Sequence, residues 1–207
     1  MMRRVTILLA GLVLVAWTAG CKVRVDKSAN GASKNVRVDT PFGGVHVTTG
    51  QTTAADVGLP AYPGAQLVKH DERHKSADVR MGFGDWEMRV KVASYTTTDP
   101  QQKVVAFYKN ALSGYGDVLT CQDNAPVGTP TKTAGGLTCD DNGHPPVKID
   151  ANGESYGYKS GHAGFELKAG SERDQHIVGF ESSQPGETRF TLVELELPRS
   201  AGSRKSD

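Results

Sequence analysis

Apolar residues run almost without interruption from Val5 to Trp17, behind the basic pair Arg3 and Arg4 and ahead of the small residues Thr18-Ala19-Gly20. A short basic start, an apolar stretch and a small-residue ending are the parts of a secretory signal, here residues 1–20. The 13-residue run falls short of the roughly 20 residues that span a bilayer. An uncleaved membrane anchor stays open as the alternative. Beyond residue 21 the dominant pattern is alternation. Val36, Val38, Val45 and Val47 alternate with polar residues on either side of Thr40-Pro41-Phe42-Gly43-Gly44, predicting a hairpin. Trp86, Met88, Val90 and Val92 alternate with Glu87, Arg89 and Lys91, and Ala77–Phe83 precedes them across Gly84-Asp85, a second antiparallel pair. Residues 117–121 and 137–139 are further short strands. Phe165–Ala169, His176–Glu181 and Thr188–Leu197 read as a meander.

One stretch has helical periodicity. Asp99 is placed to cap it, Pro100 suits the first helical position, and Gln102 completes a capping box. Val104, Val105, Phe107, Tyr108, Ala111 and Leu112 give a broad apolar face, and Ser113-Gly114 ends the helix. The expected fold class is α+β: an antiparallel sheet of about six or seven strands with one main helix, Pro100 to Leu112, packed on one face.

Charge narrows the partners. Of 24 basic and 23 acidic residues, removal of Arg3 and Arg4 with the signal leaves 22 against 23, a nearly neutral chain of 187 residues with no nucleic-acid surface. Lys22 to Asn35 is rich in Lys, Ser, Asn, Ala and Gly and reads as a flexible tether with an end-to-end distance of roughly 20 Å.

The ending Thr18-Ala19-Gly20-Cys21 resembles the lipobox of bacterial lipoproteins. The resemblance implies that Cys21 receives diacylglycerol on its sulfur, that cleavage makes it the first residue, and that its new amino group is acylated, with palmitate among the chains. An ordinary signal that happens to contain a cysteine is the other reading. Lys22 stands where an Asp would retain such a protein in the inner membrane, so the resemblance implies the periplasmic face of the outer membrane if the cell is Gram-negative. With Cys21 assigned to lipid, Cys121 and Cys139 remain as an even pair in an oxidising compartment, implying one disulfide. Closing the roughly 17 residues between them is worth about 3 kcal/mol.

Two weaker resemblances touch the rest. Residues 38–49 (VDTPFGGVHVTT) resemble a repeat of adhesin-type bacterial β-solenoids, but the phrase occurs once and a solenoid needs about three. Tyr62-Pro63-Gly64-Ala65, with the Phe107-Tyr108 helix, resembles uncharacterised bacterial envelope proteins over residues 58–120, which brings no activity. The expected organisation is a signal (1–20), a lipidated cysteine with its tether (21–35), a single α+β domain (36–198, with 36–50 as an edge hairpin or part of the stalk) and a disordered tail (199–207).

Candidate chemistry is sparse. Gly153-Glu154-Ser155-Tyr156-Gly157 matches the nucleophile elbow of serine hydrolases, with His162 or His176 as base and Asp174 in triad order. No buried strand and helix flank it. His70 and His74, four apart, would share a metal on a helix, yet no helical pattern surrounds them. Asp140-Asp141-Asn142-Gly143 and Asp150-Ala151-Asn152-Gly153 lack the full calcium loop and read as turns. Glu194 and Glu196 read as a polar outer face, and Trp86 and Tyr62 mark a candidate groove for a small apolar ligand. No cofactor is expected. The function that fits is a membrane-anchored, non-catalytic envelope lipoprotein that binds or scaffolds a protein or glycan; a serine hydrolase on Ser155, or weak metal binding by His70 and His74, are the alternatives.

Overall fold

Twelve residues, Trp86–Thr97, form the longest strand, and the sheet is built outward from both of its edges. The computed structural model describes residues 21–27, 34–68, 76–139, 149–151, 154–156, 164–181 and 186–198. The strands are β1 (Lys22–Lys27), β2 (Lys34–Thr40), β3 (Gly43–Thr49), β4 (Gln66–Leu67), β5 (Ala77–Phe83) and β6 (Trp86–Thr97). After helix α1 (Gln101–Leu112) and a short 3-10 turn (Ser113–Tyr115) come β7 (Leu119–Gln122) and β8 (Ala125–Pro126). Then follow β9 (Ile149–Ala151), β10 (Glu154–Tyr156), β11 (Phe165–Gly170), β12 (Asp174–Phe180) and β13 (Thr188–Glu196).

Eleven strands join one antiparallel sheet in the order β1-β2-β3-β5-β6-β13-β12-β11-β7-β8, with β4 on the far end of β6, while β9 and β10 pair separately. This corrects the expectation of a six- or seven-stranded α+β fold: the described residues are mostly antiparallel sheet, with a single short α-helix among them. Two misreadings contribute to the difference, and the two-residue strands β4 and β8 add to the count. The hairpin β2–β3 is not an edge, because β3 pairs along its whole length with β5, Gly43 opposite Phe83 through Thr49 opposite Ala77. Lys22–Lys27, read as tether, is strand β1, paired with β2 from Lys22↔Asp39 to Lys27↔Lys34. Its composition resembles a linker, but Val23 and Val25 alternate with charge, and the neighbouring valines supply a partner that linker statistics ignore.

Register aligns like with like across the strands. One row runs Val25–Val36–Val47–Val79–Val90–Leu195, on the face turned away from α1. On the α1 side the parallel row is Arg24–Arg37–His46–Arg80–Arg89–Glu196, and carboxylates relieve its like charges: Arg37 pairs with Asp39 at 2.9 Å, Arg80 with Glu87 at 3.3 Å and Arg89 with Asp78 at 2.7 Å.

The apolar core on the α1 side gathers under the helix. Val104, Tyr108 and Leu112, spaced four apart, are fully buried among Leu167, Ala169, Val178, Phe180 and Leu192, each contributing about 1.5–3 kcal/mol of burial for a side chain of this size. Phe190 is the hub. Its ring meets Tyr62, Tyr95, Tyr108 and Phe180 at centroid separations of 5.5–6.3 Å.

The start of α1 departs from expectation. Pro100 is the N-cap and no side chain caps the helix. Asp99 is engaged elsewhere: its carboxylate accepts from the Tyr62 hydroxyl (2.8 Å) and from Lys103 (3.1 Å), and both hold its pKa below the ordinary value. Its carbonyl accepts from the Thr188 hydroxyl at 2.7 Å, which ties the helix start to β13.

Candidate functional site

Where the apolar core ends, the same face of the sheet turns polar, and the row His176–Glu194–Lys91–Asp78 crosses β12, β13, β6 and β5. Lys91 and Glu194 form an ion pair with side chains only 13% and 14% exposed. Glu194 therefore does not belong to a polar outer face. The signal was available, since Arg89 and Lys91 on one strand match Glu194 and Glu196 on another at period two, but only the pairing of β6 with β13 brings them together.

His176 is buried, and its Nδ1 has no hydrogen-bond partner. Burial is the main influence on its pKa and lowers it, while the charges of Asp174 and Glu194 oppose the shift. The Tyr115 ring stacks on the imidazole at 3.7 Å and 21°, and the Tyr115 hydroxyl donates to the Gly58 carbonyl. Gly58 sits at φ +75°, and a Cβ there would lie 2.8 Å from Tyr115 Oη and 3.1 Å from His176 Nε2. Only glycine permits this approach. The loop carrying Gly58 is fixed in turn by Ala54, whose N–H donates to the buried Tyr95 hydroxyl at 2.8 Å, and by the buried Val57 and Leu59.

Beside this stack lies an open cleft of about 440 Å³ lined by Tyr115, Asp117, Gly135, Gly170, Ser171 and Asp174 among others. Its walls touch backbone to backbone: a Cβ on Gly135 would come within 2.0 Å of the Gly170 carbonyl, and the Glu172 N–H donates to the Gly135 carbonyl at 3.1 Å. Asp117 accepts from the Ala134 N–H at 2.9 Å. The cleft presents carboxylates and hydroxyls on a rigid frame. Such groups are chemically able to hydrogen-bond a small polar molecule.

The residues singled out from sequence scatter. Ser155 lies within β10 opposite Asp150 in a two-stranded ladder, rather than at a strand-to-helix turn. His70, His74, His162 and the stretch 140–143 lie outside the described residues, among which no three His, Cys, Asp or Glu side chains are grouped to hold a metal ion. Tyr62 and Trp86 do not share a groove. Tyr62 packs edge-on to Phe107 at 5.2 Å beneath α1, whereas Trp86 stands at the β5–β6 turn, nine strand residues from Tyr95. Cys121 and Cys139 are joined in a disulfide with Cα atoms 5.5 Å apart, buried with Leu119 and Leu137, and it links β7 to the loop that walls the cleft. Cys21 is free and exposed. No described helix is long and apolar enough to cross a membrane. Compared with protein-family models, curated proteins and solved structures, the chain finds no match.

Proposed function

We propose that the protein is a lipid-anchored lipoprotein of the bacterial cell envelope, held through Cys21, whose β-rich domain binds or scaffolds another envelope component without catalysing a reaction. The partition of its three cysteines carries this reading. Two close a buried disulfide, and the third stands exposed directly after Thr18-Ala19-Gly20 and one residue before β1. A disulfide suits an oxidising compartment, and an unpaired cysteine in that compartment needs another use. Lys22 in the following position favours the outer membrane, periplasmic face. The cleft at Tyr115, Asp117 and Asp174 is the proposed binding surface, suited by its carboxylates and hydroxyls to a glycan or to a polar segment of an envelope protein.

Fractionation tests the anchor: replacing Cys21→Ala should move the protein from the membrane to the soluble fraction, and its retention in membranes would overturn the assignment. A photo-crosslinking residue at Ser171, in intact cells, should capture one reproducible envelope component, and Asp174→Asn should weaken that capture. A serine-directed fluorophosphonate probe supplies the contrary outcome, since labelling lost in Ser155→Ala would make the protein a hydrolase.

A further inference from the structure

Three aromatic side chains are left in solvent on two turns of the sheet: Phe42, 84% exposed between β2 and β3, and Phe83 and Trp86, 50% and 38% exposed on either side of the β5–β6 turn. Register puts both turns on one rim. Gly43 pairs with Phe83, and Phe83 with Trp86, the two rings 6.0 Å apart. The same ladders place Cys21 there, because Lys22 lies opposite Asp39 and so sets Cys21 beside Thr40 at the start of the Phe42 turn. With strands spaced by about 4.8 Å, the four steps from β1 to β6 keep Cys21 and all three aromatics within roughly 20 Å.

The rim is built to hold these rings outward. The Thr40 hydroxyl donates to the Gly43 carbonyl at 2.8 Å and accepts from the Gly43 N–H at 3.1 Å, closing the turn under Phe42. A Cβ at Gly43 would fall 2.5 Å from the Phe83 ring, so the glycine makes room for that ring against the turn. On β1, Val23 and Val25 add apolar surface at 63% and 44% exposure.

We infer that this rim is the membrane-facing end of the domain, with Phe42, Phe83 and Trp86 seated at the headgroup level of a phospholipid bilayer. The inference rests on the lipid anchor proposed above. Since β1 begins at residue 22, no slack separates the lipidated residue from the sheet, and an acyl chain on Cys21 brings this rim to the bilayer before any other part. Aromatic side chains with an apolar body, Trp above all, favour that boundary. Asp85, at the tip between Phe83 and Trp86, holds the rings at the surface, because a carboxylate resists passage into hydrocarbon. The domain is thus fixed in orientation and does not swing on a stalk, with its strands rising from the membrane.

Tryptophan fluorescence tests this directly. The sequence holds two tryptophans, Trp17 and Trp86, so a full chain carrying Trp17→Phe reports from Trp86 alone. The protein is purified from bacterial membranes, the mass of its Cys21 peptide is determined, and it is reconstituted into vesicles of phosphatidylcholine and phosphatidylglycerol with or without brominated acyl chains. A preparation with an unmodified Cys21 is coupled through that thiol to a maleimide-headgroup lipid. Trp86 emission should shift to the blue on vesicles, lose most of its intensity to brominated chains, and become several-fold less accessible to iodide; Phe42→Ser should return part of the intensity. Full iodide access with no effect of bromine, on vesicle-held protein, would overturn the inference while leaving the anchor intact, and would assign the rim to a protein partner instead. An unmodified Cys21 in soluble protein would overturn the anchor, and the coupled preparation would still decide whether the rim enters the bilayer.

Discussion

Replacing Lys91→Met removes one half of the ion pair at the centre of the sheet and leaves Glu194 in a site where only 14% of its side chain reaches solvent. Two contacting unit charges attract by about 5 kcal/mol at an effective dielectric of about 20. Desolvation offsets much of that in the intact pair, but not when one partner is gone, so the single change should cost about 3–5 kcal/mol. For a chain of this length each kcal/mol is worth about 2–4 °C in Tm, which predicts a fall of roughly 10 °C. Glu194→Met should cost a similar amount by stranding the ammonium. The double variant Lys91→Met/Glu194→Met closes the cycle. It strands no charge and places two flexible apolar side chains beside each other, so its stability should lie within about 1 kcal/mol of the parent. Urea unfolding followed by circular dichroism measures all four proteins. If Lys91→Met costs under about 1 kcal/mol, as exposed pairs do, or if the two single costs simply add in the double variant, the pair is not the buried, coupled unit described above.

Three further outcomes follow from the site and its supports. The lowered pKa of His176 means that the unfolded chain binds its proton more readily, so stability should decline as pH falls through the ordinary value of 6.5; in His176→Phe, which keeps an aromatic ring against Tyr115, unfolding titrations should lose that component of the acid slope, and an unchanged slope would refute it. Phe190→Ala, at the hub of four ring contacts, should destabilise by about 3–5 kcal/mol, and a loss below about 1 kcal/mol would mean that Phe190 is not the centre of the core. Cys121 and Cys139 should resist alkylation without reductant, and Cys121→Ala/Cys139→Ala should lower stability by about 3 kcal/mol; labelling of both in the untreated protein would contradict the disulfide.

Local pattern carried the elements well and their assembly poorly. Alternation in residues 77–83 and 86–96 predicts β5 and β6 almost to the residue, and the apolar spacing of Val104, Tyr108 and Leu112 predicts α1, because these signals depend on neighbours in sequence. What alternation lacks is the identity of the next strand. The joining of β3 to β5, and of β6 to β13, enlarges the sheet to eleven strands and turns Glu194 from a surface carboxylate into half of a buried pair. Asp99 shows the same limit at smaller scale. Its position fits a helix cap, but Tyr62, 37 residues earlier, claims its carboxylate. The Tyr115–His176 stack over Gly58 has no local signature at all, since its three members come from three separate elements.

The place of β13 has a consequence for how the chain reaches its final shape. It enters the middle of the sheet, and its ladder with β6 joins residues 91 to 107 positions apart, from Thr97↔Thr188 to Arg89↔Glu196. During synthesis, β1 to β6 can zip together as hairpins while one long side of β6 still offers unpaired amides and carbonyls. That side stays open until residue 188 and beyond has emerged, and closing it joins the two halves of the sheet in a single late event. Sheets assembled from such distant segments fold in milliseconds to seconds, and an open strand side invites pairing with another chain. A newly made molecule therefore passes through a stage in which its own centre is its stickiest surface, and an escort that shields β6 would speed its maturation more than one that shields either rim.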